Sequence, residues 1–545
     1  MKKIKIKYII ALVLFLPVLS CTDLEEQFLD ETDGSENLVP ENIEQLIVPA
    51  YGTLFRLWTG GDVTNNDRLG GGLCPIQQFS TDEQFIPTRG LDWFDGGRWQ
   101  ADYMHTWNPE HPHITQLFNR LATGVARANY SRLLLDDFVV EEDDVDLQET
   151  IDLFRAELRF LTCYYNWLFM DIYGKVPYRD YTATDFGVDP EMWDRETAFV
   201  NITEELNELI PLLANKGEYP YGRPTKDAAR MLLAKLYLNA EVYLDDPMYD
   251  ECLTIVNDLI NSGRYELADV FWDMFDVDNA ANSEVIFAAV QDDEVNMGND
   301  GGWNVHFQVA FIYNQAWNDN ITGGWNGVCT PETYAMNVIA NTDTALDMRW
   351  RDDRYYSDNY MYLGYNYGQQ YSRGSGDSLS FGGQNVFYTW NSPLSGATRS
   401  NGARTIKFPP PTGSSVSPTR YPNDYPIFRI ADAYLMRAEC KLRLGDNSSP
   451  TPVEDVNAIR RKRNKLGQSD AGLDVTSMDL DKLLIERGIE LQAENHRRTD
   501  MIRFGTYLEP KDNKPNASPE TRLVCPIPLS AIDAYGHPDW QNPGY

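Results

Sequence analysis

Seven apolar residues, Ile151, Phe154, Leu158, Leu161, Tyr165, Leu168 and Ile172, recur at alternating intervals of three and four. A helix gathers such positions on one face, whereas a strand scatters them over two. The spacing predicts a long helix with one buried stripe, stopped by Gly174 and Pro177. The same test predicts more helices. Thr225 caps a face made by Ala229, Leu232, Leu236, Ala240 and Tyr243. Leu253, Val256 and Ile260 line the next, ended by Gly263; Ala431, Leu435, Ala438 and Leu442 line another, ended by Gly445. Helices are also expected at 41–58, 112–135, 196–214, 454–465 and 479–504. Small Ala residues on these faces allow close approach, so antiparallel pairs should stack in a tetratricopeptide-like manner. The expected fold class is mainly α, although no strict 34-residue self-similarity marks a regular repeat.

Two zones break the pattern. Residues 59–110 and 271–425 are rich in Gly, Asn, Asp, Pro and aromatics, and read as long loops inserted between scaffold segments at about 41–58, 111–270 and 426–510. Ten of the 13 Trp fall within residues 58–107 and 271–425. A Trp there either plugs its loop onto the scaffold or turns its ring to a ligand. An electron-rich indole face suits the axial C–H patch of a sugar. Burying one such face contributes about 1–2 kcal/mol. The candidate ligand-binding residues are Trp93, Trp99, Trp303, Trp317, Asn320 and Trp325, with Asp67 a weaker addition whose plainer reading is a turn-forming Asp.

Charge narrows the ligand. The chain carries 82 acidic against 47 basic residues, a net charge of −35. A polyanion would be repelled, so nucleic acid is excluded and a neutral ligand is favoured. Part of the basic count sits in the first twenty residues, where Lys2, Lys3, Lys5 and Lys7 precede an apolar run from Tyr8 to Leu19. That run is too short to span a bilayer and reads as a signal peptide, residues 1–20. Val18-Leu19-Ser20-Cys21 resembles the lipobox of bacterial lipoproteins, which makes Cys21 the expected lipidation site. Residues 21–40 hold seven acidic residues and no Lys or Arg, an extended tether between the lipid and a single domain over 41–545. Acidic residues at this place also resemble a surface-export signal of Bacteroidetes lipoproteins.

No HExxH, GxSxG, Walker A, GxGxxG or full EF-hand loop occurs, so no catalytic residue, cofactor or metal is expected. The charged run from Glu494 to Asp500 reads as an ion-pair network pinning helices together. His111 and His113 are the one close His pair, a poor metal pattern by itself. Six Cys follow Cys21 without CxxC spacing; they read as buried thiols, with a Cys74–Cys329 bridge left open. A paired-carboxylate glycosidase and a protein-binding helical adaptor stay open as alternatives.

Several segments together resemble the SusD/RagB family of outer-membrane nutrient-binding lipoproteins. They are Cys21-Thr22-Asp23-Leu24; Phe79 to Glu83; Ala156 to Leu161 leading into Tyr173-Gly174-Lys175-Val176-Pro177; Lys226 to Leu238; Arg429 to Glu439; Glu486 to Leu491 with His496 to Arg503; and Pro526-Ile527-Pro528 through Gln541-Asn542-Pro543-Gly544-Tyr545. Their order, behind a lipobox, runs nearly end to end. The resemblance implies a tetratricopeptide-like scaffold with a loop-rich ligand face, lipid-anchored on the cell-surface side of the outer membrane. It implies a glycan ligand, with peptide as a minority alternative. It also implies a partner, a SusC-like TonB-dependent transporter over which the protein sits. Cys21→Ala is expected to abolish acylation and move the protein from the membrane to the soluble fraction, read by fatty-acid labelling and fractionation.

Overall fold

The computed structural model describes residues 40–545 except 60–71, 142, 184–187, 281, 292–325, 353–361, 373–374, 382, 410–422 and 468–470. Two units result, Met1–Ile43 and Glu44–Tyr545, and the features below belong to the second. Its principal helices are α1 (Val48–Thr59), α2 (Arg98–Met104), α3 (Pro112–Asp137), α4 (Val145–Tyr173), α5 (Arg195–Leu209), α6 (Lys226–Leu238), α7 (Tyr249–Asn261), α8 (Glu332–Asn341), α9 (Ile430–Leu444), α10 (Pro452–Lys462), α11 (Leu480–Glu490) and α12 (Arg497–Arg503). The chain is mainly α.

All seven residues of the 151–172 stripe are buried in α4. Asp144 caps its start by accepting from the Leu147 amide, and Gly174 ends it at φ 67°. α3 packs antiparallel on α4: the Tyr173 hydroxyl at the end of α4 donates to the Ile114 carbonyl at the start of α3, 2.6 Å away. Gly124 permits the close approach, because a Cβ there would stand 2.8 Å from the Tyr165 ring. Tyr165 then donates to the Ala50 carbonyl of α1. The α6 cap at Thr225 is as expected. In α7 the buried face is Tyr249, Cys252, Val256 and Leu259, one step round from the expected line, so Leu253 and Ile260 flank it.

Strands are short. β1 (Val176–Tyr178) pairs antiparallel with β2 (Glu191–Trp193). β3 (Val285–Ala289) is joined by β7 (Tyr425–Arg429), bringing the two ends of the second loop zone together. Between them β4 (Arg351–Asp352), β5 (Leu363–Asn366) and β6 (Arg404–Ile406) form a three-stranded sheet in the order β6-β5-β4. The six Cys beyond Cys21 are buried free thiols.

The helix expected at 479–504 is two helices, α11 and α12. The chain breaks between them, with Ala493 and Asn495 in left-handed backbone at φ 61° and 60°. The break has a cause. The Ala493 amide donates to the Glu83 carboxylate at 2.8 Å, and Glu494 turns inward to Arg429 and Lys407. Those contacts belong to a buried network. Glu490 meets Arg349, Arg429 and Arg463; Glu284 meets Arg429 and Arg463; Glu486 meets Arg349 and Arg460. Burial alone would raise the Glu490 carboxyl; Arg463, Arg429 and Arg349 outweigh it and hold it well below the usual range. The expected ion-pair role of 494–500 extends outward, with Arg497 on Asp82, Arg498 on Asp171, and Asp500 on Arg487 and Arg503.

Removing one member strands the others. Glu490→Ala leaves three guanidinium groups facing one another in a dry site and should cost about 3–5 kcal/mol in urea unfolding. The exposed Arg461–Asp474 pair provides the contrast: Asp474→Ala should cost about 1 kcal/mol or less.

Candidate functional site

The two loop zones, far apart in sequence, are hydrogen-bonded to each other. The Phe85 amide donates to the Cys329 carbonyl at 3.0 Å, and the Cys329 amide donates to the Phe85 carbonyl at 2.9 Å. Thr88 donates to Leu394, and Ala397 donates back to Thr88. Two buried arginines fasten this seam through uncharged acceptors. Arg89 donates to the carbonyls of Thr398, Asn401 and Gly327; Arg404 donates to the Asn401 carbonyl and to Asn326 Oδ1. Burial, and then the neighbouring Arg404 charge, push Arg89 down to about 9.

A projecting loop follows the seam. Arg89 and Asp92 close a tight turn through reciprocal backbone bonds, with Gly90 at φ 63°. Trp93, Asp95, Gly96 and Gly97 all have positive φ, at 64°, 39°, 72° and 83°. Two non-glycine residues in that region mark a conformation imposed by the surroundings. The loop presents Leu91 and Phe94 to solvent, 98% and 58% exposed. It is held from below: Trp99 Nε1 donates to Asp95 Oδ2 at 2.8 Å, and Gln100 donates to the Trp93 carbonyl. Trp93 and Trp99 pack edge to face, 5.8 Å between centroids, in a small core with Cys74, Phe79, Ile86 and Val328.

Beside the seam lies an open polar cleft of about 220 Å³. Phe85, Trp390, Asn391 and Asn513 line it, with the carboxylates Glu332 and Asp512. The half-buried Trp390 is backed by other rings. It stacks on Trp350 at 5.9 Å and 28° and lies 4.8 Å from Tyr367, while Trp350 stacks on Tyr365 at 4.4 Å. Asn513 is fixed by donating to the Ser392 carbonyl and accepting from the Leu394 amide. Asp512 accepts from the Thr333 amide at the start of α8. The cleft therefore offers one rigid aromatic plate, amide donors and carboxylate acceptors.

A family model described as "SusD family" matches residues 283–545, and another described as "Starch-binding associating with outer membrane" matches residues 78–238. The starch-binding protein SusD of Bacteroides thetaiotaomicron is 26% identical over 473 residues, covering 81% of this chain and 80% of that protein. The chain belongs to the SusD/RagB family. Solved structures with the same fold include a laminarin-binding SusD-like protein, at TM-score 0.66 and 19% identity over 93% of this chain and 99% of that one. Surface glycan-binding protein A of Bacteroides thetaiotaomicron, in complex with laminarihexaose, gives 0.63 and 20% over 92% and 99%. Like others of the SusD/RagB family, the protein is associated with the outer membrane at the cell surface.

In this SusD/RagB chain the residues singled out from sequence divide into two groups. Trp93 and Trp99 are brought together but face inward, at 8% and 0% exposure, so here they form the footing of the 91–97 loop rather than open plates. The Gly/Asn-rich setting suggested exposure; the loop instead supplies its own core. Gly327 closes over Trp93, and a Cβ there would stand 2.7 Å from the ring. Asp67, Trp303, Trp317, Asn320, Trp325 and the lipidation site Cys21 lie outside the described residues. Trp390 was within reach of the Trp distribution but was not selected. Its signal is the Trp390-Asn391-Ser392 sequence between two short strands. Asp512 and Asn513 arrive from the far end of the chain and carry no local signal.

Trp99→Phe keeps the ring packing but loses the bond to Asp95. It should cost about 1 kcal/mol in stability and speed amide hydrogen exchange across residues 91–97, while exchange in α4 is unchanged.

Proposed function

We propose that this protein captures a neutral glycan at the cell surface and passes it to a SusC-like TonB-dependent outer-membrane transporter. The observation that carries the reading is Trp390, a half-open indole locked from behind by Trp350 and Tyr367 at the mouth of a polar cleft. A sugar ring stacking there gains contact without ordering the plate first. Asn391 and Asn513 can donate to ring hydroxyls, and Asp512 and Glu332 can accept from them. The two carboxylates and the −35 net charge oppose an anionic glycan. The exposed Leu91 and Phe94 lie on the loop that carries Trp93 and extend the same reading to a second contact. Trp303, Trp317, Asn320, Trp325 and Asp67 stay in the proposal as further ligand residues, with Trp93 and Trp99 acting through the loop they support.

Release to a transporter asks for modest affinity, and two or three stacked rings plus hydrogen bonds supply millimolar to ten-micromolar binding, about 4–7 kcal/mol. The anchor proposed at Cys21 would keep the cleft at the membrane while the ligand changes hands.

Calorimetry against a polysaccharide panel beginning with starch and laminarin tests the reading. Trp390→Ala should weaken binding of the recognised glycan about 5–30-fold, an effect of about 1–2 kcal/mol, with an unchanged circular dichroism spectrum. Equal affinity of the two proteins would move the site away from this cleft. Copurification of a large membrane barrel with the anchored protein tests the transporter.

A further inference from the structure

The turn between α2 and α3 buries three side chains that the glycan site does not use. Asp102 lies on α2, His111 is the N-cap of α3, and His113 is the second residue of α3. Their exposures are 0%, 6% and 0%. Asp102 Oδ2 is 2.6 Å from His113 Nδ1, and Asp102 Oδ1 is 3.4 Å from His111 Nε2. One ligand atom from each residue falls within 4.8 Å of the others. The Arg98 carbonyl oxygen stands 3.3 Å from His111 Nε2 and offers a fourth donor.

Several other buried carboxylates among the described residues are neutralised by cations: Glu490 by three arginines, Asp432 by Lys235 and Arg487, Asp171 by Arg498. The groups in direct contact with Asp102 are two imidazoles, with the Arg98 charge acting from farther off. Buried His111 Nδ1 has no hydrogen-bond partner, and buried Asp102 Oδ1 has only the long 3.4 Å approach of His111 Nε2. Two imidazoles and one carboxylate, with the Arg98 carbonyl beside them, form a donor set of the kind that takes a divalent ion of the zinc class.

We propose that Asp102, His111 and His113 bind a zinc-class divalent cation that clamps α2 to the start of α3. Ligand bonds of 2.0–2.2 Å at tetrahedral angles set donor atoms about 3.3 Å apart. The Asp102–His113 contact therefore opens slightly, and the proton it holds leaves to solvent as the metal enters. The metal also stiffens the projecting loop. The Trp99 ring lies 4.4 Å from His113 on one side, and its Nε1 holds Asp95 on the other. Only this last consequence rests on the proposed glycan reading; the cation site does not.

The test uses the full chain in detergent, purified without an affinity tag, treated with chelator and titrated with Zn²⁺ and Co²⁺. The wild type is expected to take about one ion per chain, to show the visible bands of low-symmetry Co²⁺, and to lose Trp fluorescence on Co²⁺ binding as Trp99 is quenched. His111→Ala, chosen because His111 is at the edge of the site, should bind about 100-fold more weakly. His537→Gln, at an exposed histidine elsewhere, should bind as the wild type does. Chelator should lower the wild-type melting temperature, and Zn²⁺ should restore it, a readout that requires no variant to fold. Zn²⁺ binding of equal strength in wild type and His111→Ala would assign it to surface carboxylates and overturn the proposal, as would a melting temperature indifferent to chelator and metal. Each arm is read without glycan, so failure here leaves the glycan reading standing.

Discussion

Charge neutralisation inside the C-terminal half holds this molecule in register. Glu284, Glu486, Glu490 and Glu494 face Arg349, Lys407, Arg429, Arg460 and Arg463, with Asp347 completing the set on Arg349. The groups come from six separate stretches of chain, and each would be intolerable alone in a dry interior. Buried pairs of this kind contribute less to net stability than an apolar core of the same volume. What they add is exclusivity, because a slipped helix leaves a charge unmet. β3, β7, α10 and α11 are tied in this way to the loops beginning at 347 and 404. The loop-rich side thereby rests on a rigid base although little of it is regular structure.

The seam between the loop zones uses a different device. Arg89 and Arg404 are buried with carbonyl and amide oxygens as their acceptors. Among the described residues neither guanidinium has a carboxylate partner, so the seam is fastened by directed bonds to the backbone rather than by charge pairing. Trp390 and the 91–97 loop are both fixed by neighbours of this seam. The plate is backed by three aromatic rings, and the loop by two indoles and a small core, so a sugar would meet surfaces already ordered.

How much of this was legible in the sequence depended on range. The stripe of α4, the caps at Thr225, Gly174 and Gly445, and the ionic character of 494–500 depend on neighbours within a few residues, and periodicity and residue type reveal them. The break at 491–496 does not, because the carboxylate that captures the Ala493 amide is Glu83, 410 residues away. The concentration of Trp in the loop zones pointed to the same part of the molecule as the cleft beside Trp390. It did not separate plates from plugs, since Trp93 and Trp99 turn inward only because Phe79, Ile86 and Val328 gather beneath the loop. The His111–His113 pair was visible, but Asp102 joins it only through the turn at His105, whose φ is 56°.

The seam at Phe85 and Cys329 has a temporal consequence. These residues are neighbours in space but are separated by the helices α2 to α7 in the order of synthesis. Early segments such as α3 and α4 can pair as soon as both have emerged, because their contacts are close in sequence. The stretch around Phe85 must wait for partners from the second zone, and Glu83 for an amide near residue 493. The seam can therefore close only after the second zone has emerged, and a chain stopped before residue 512 would carry its early helices without the side chains that complete the cleft.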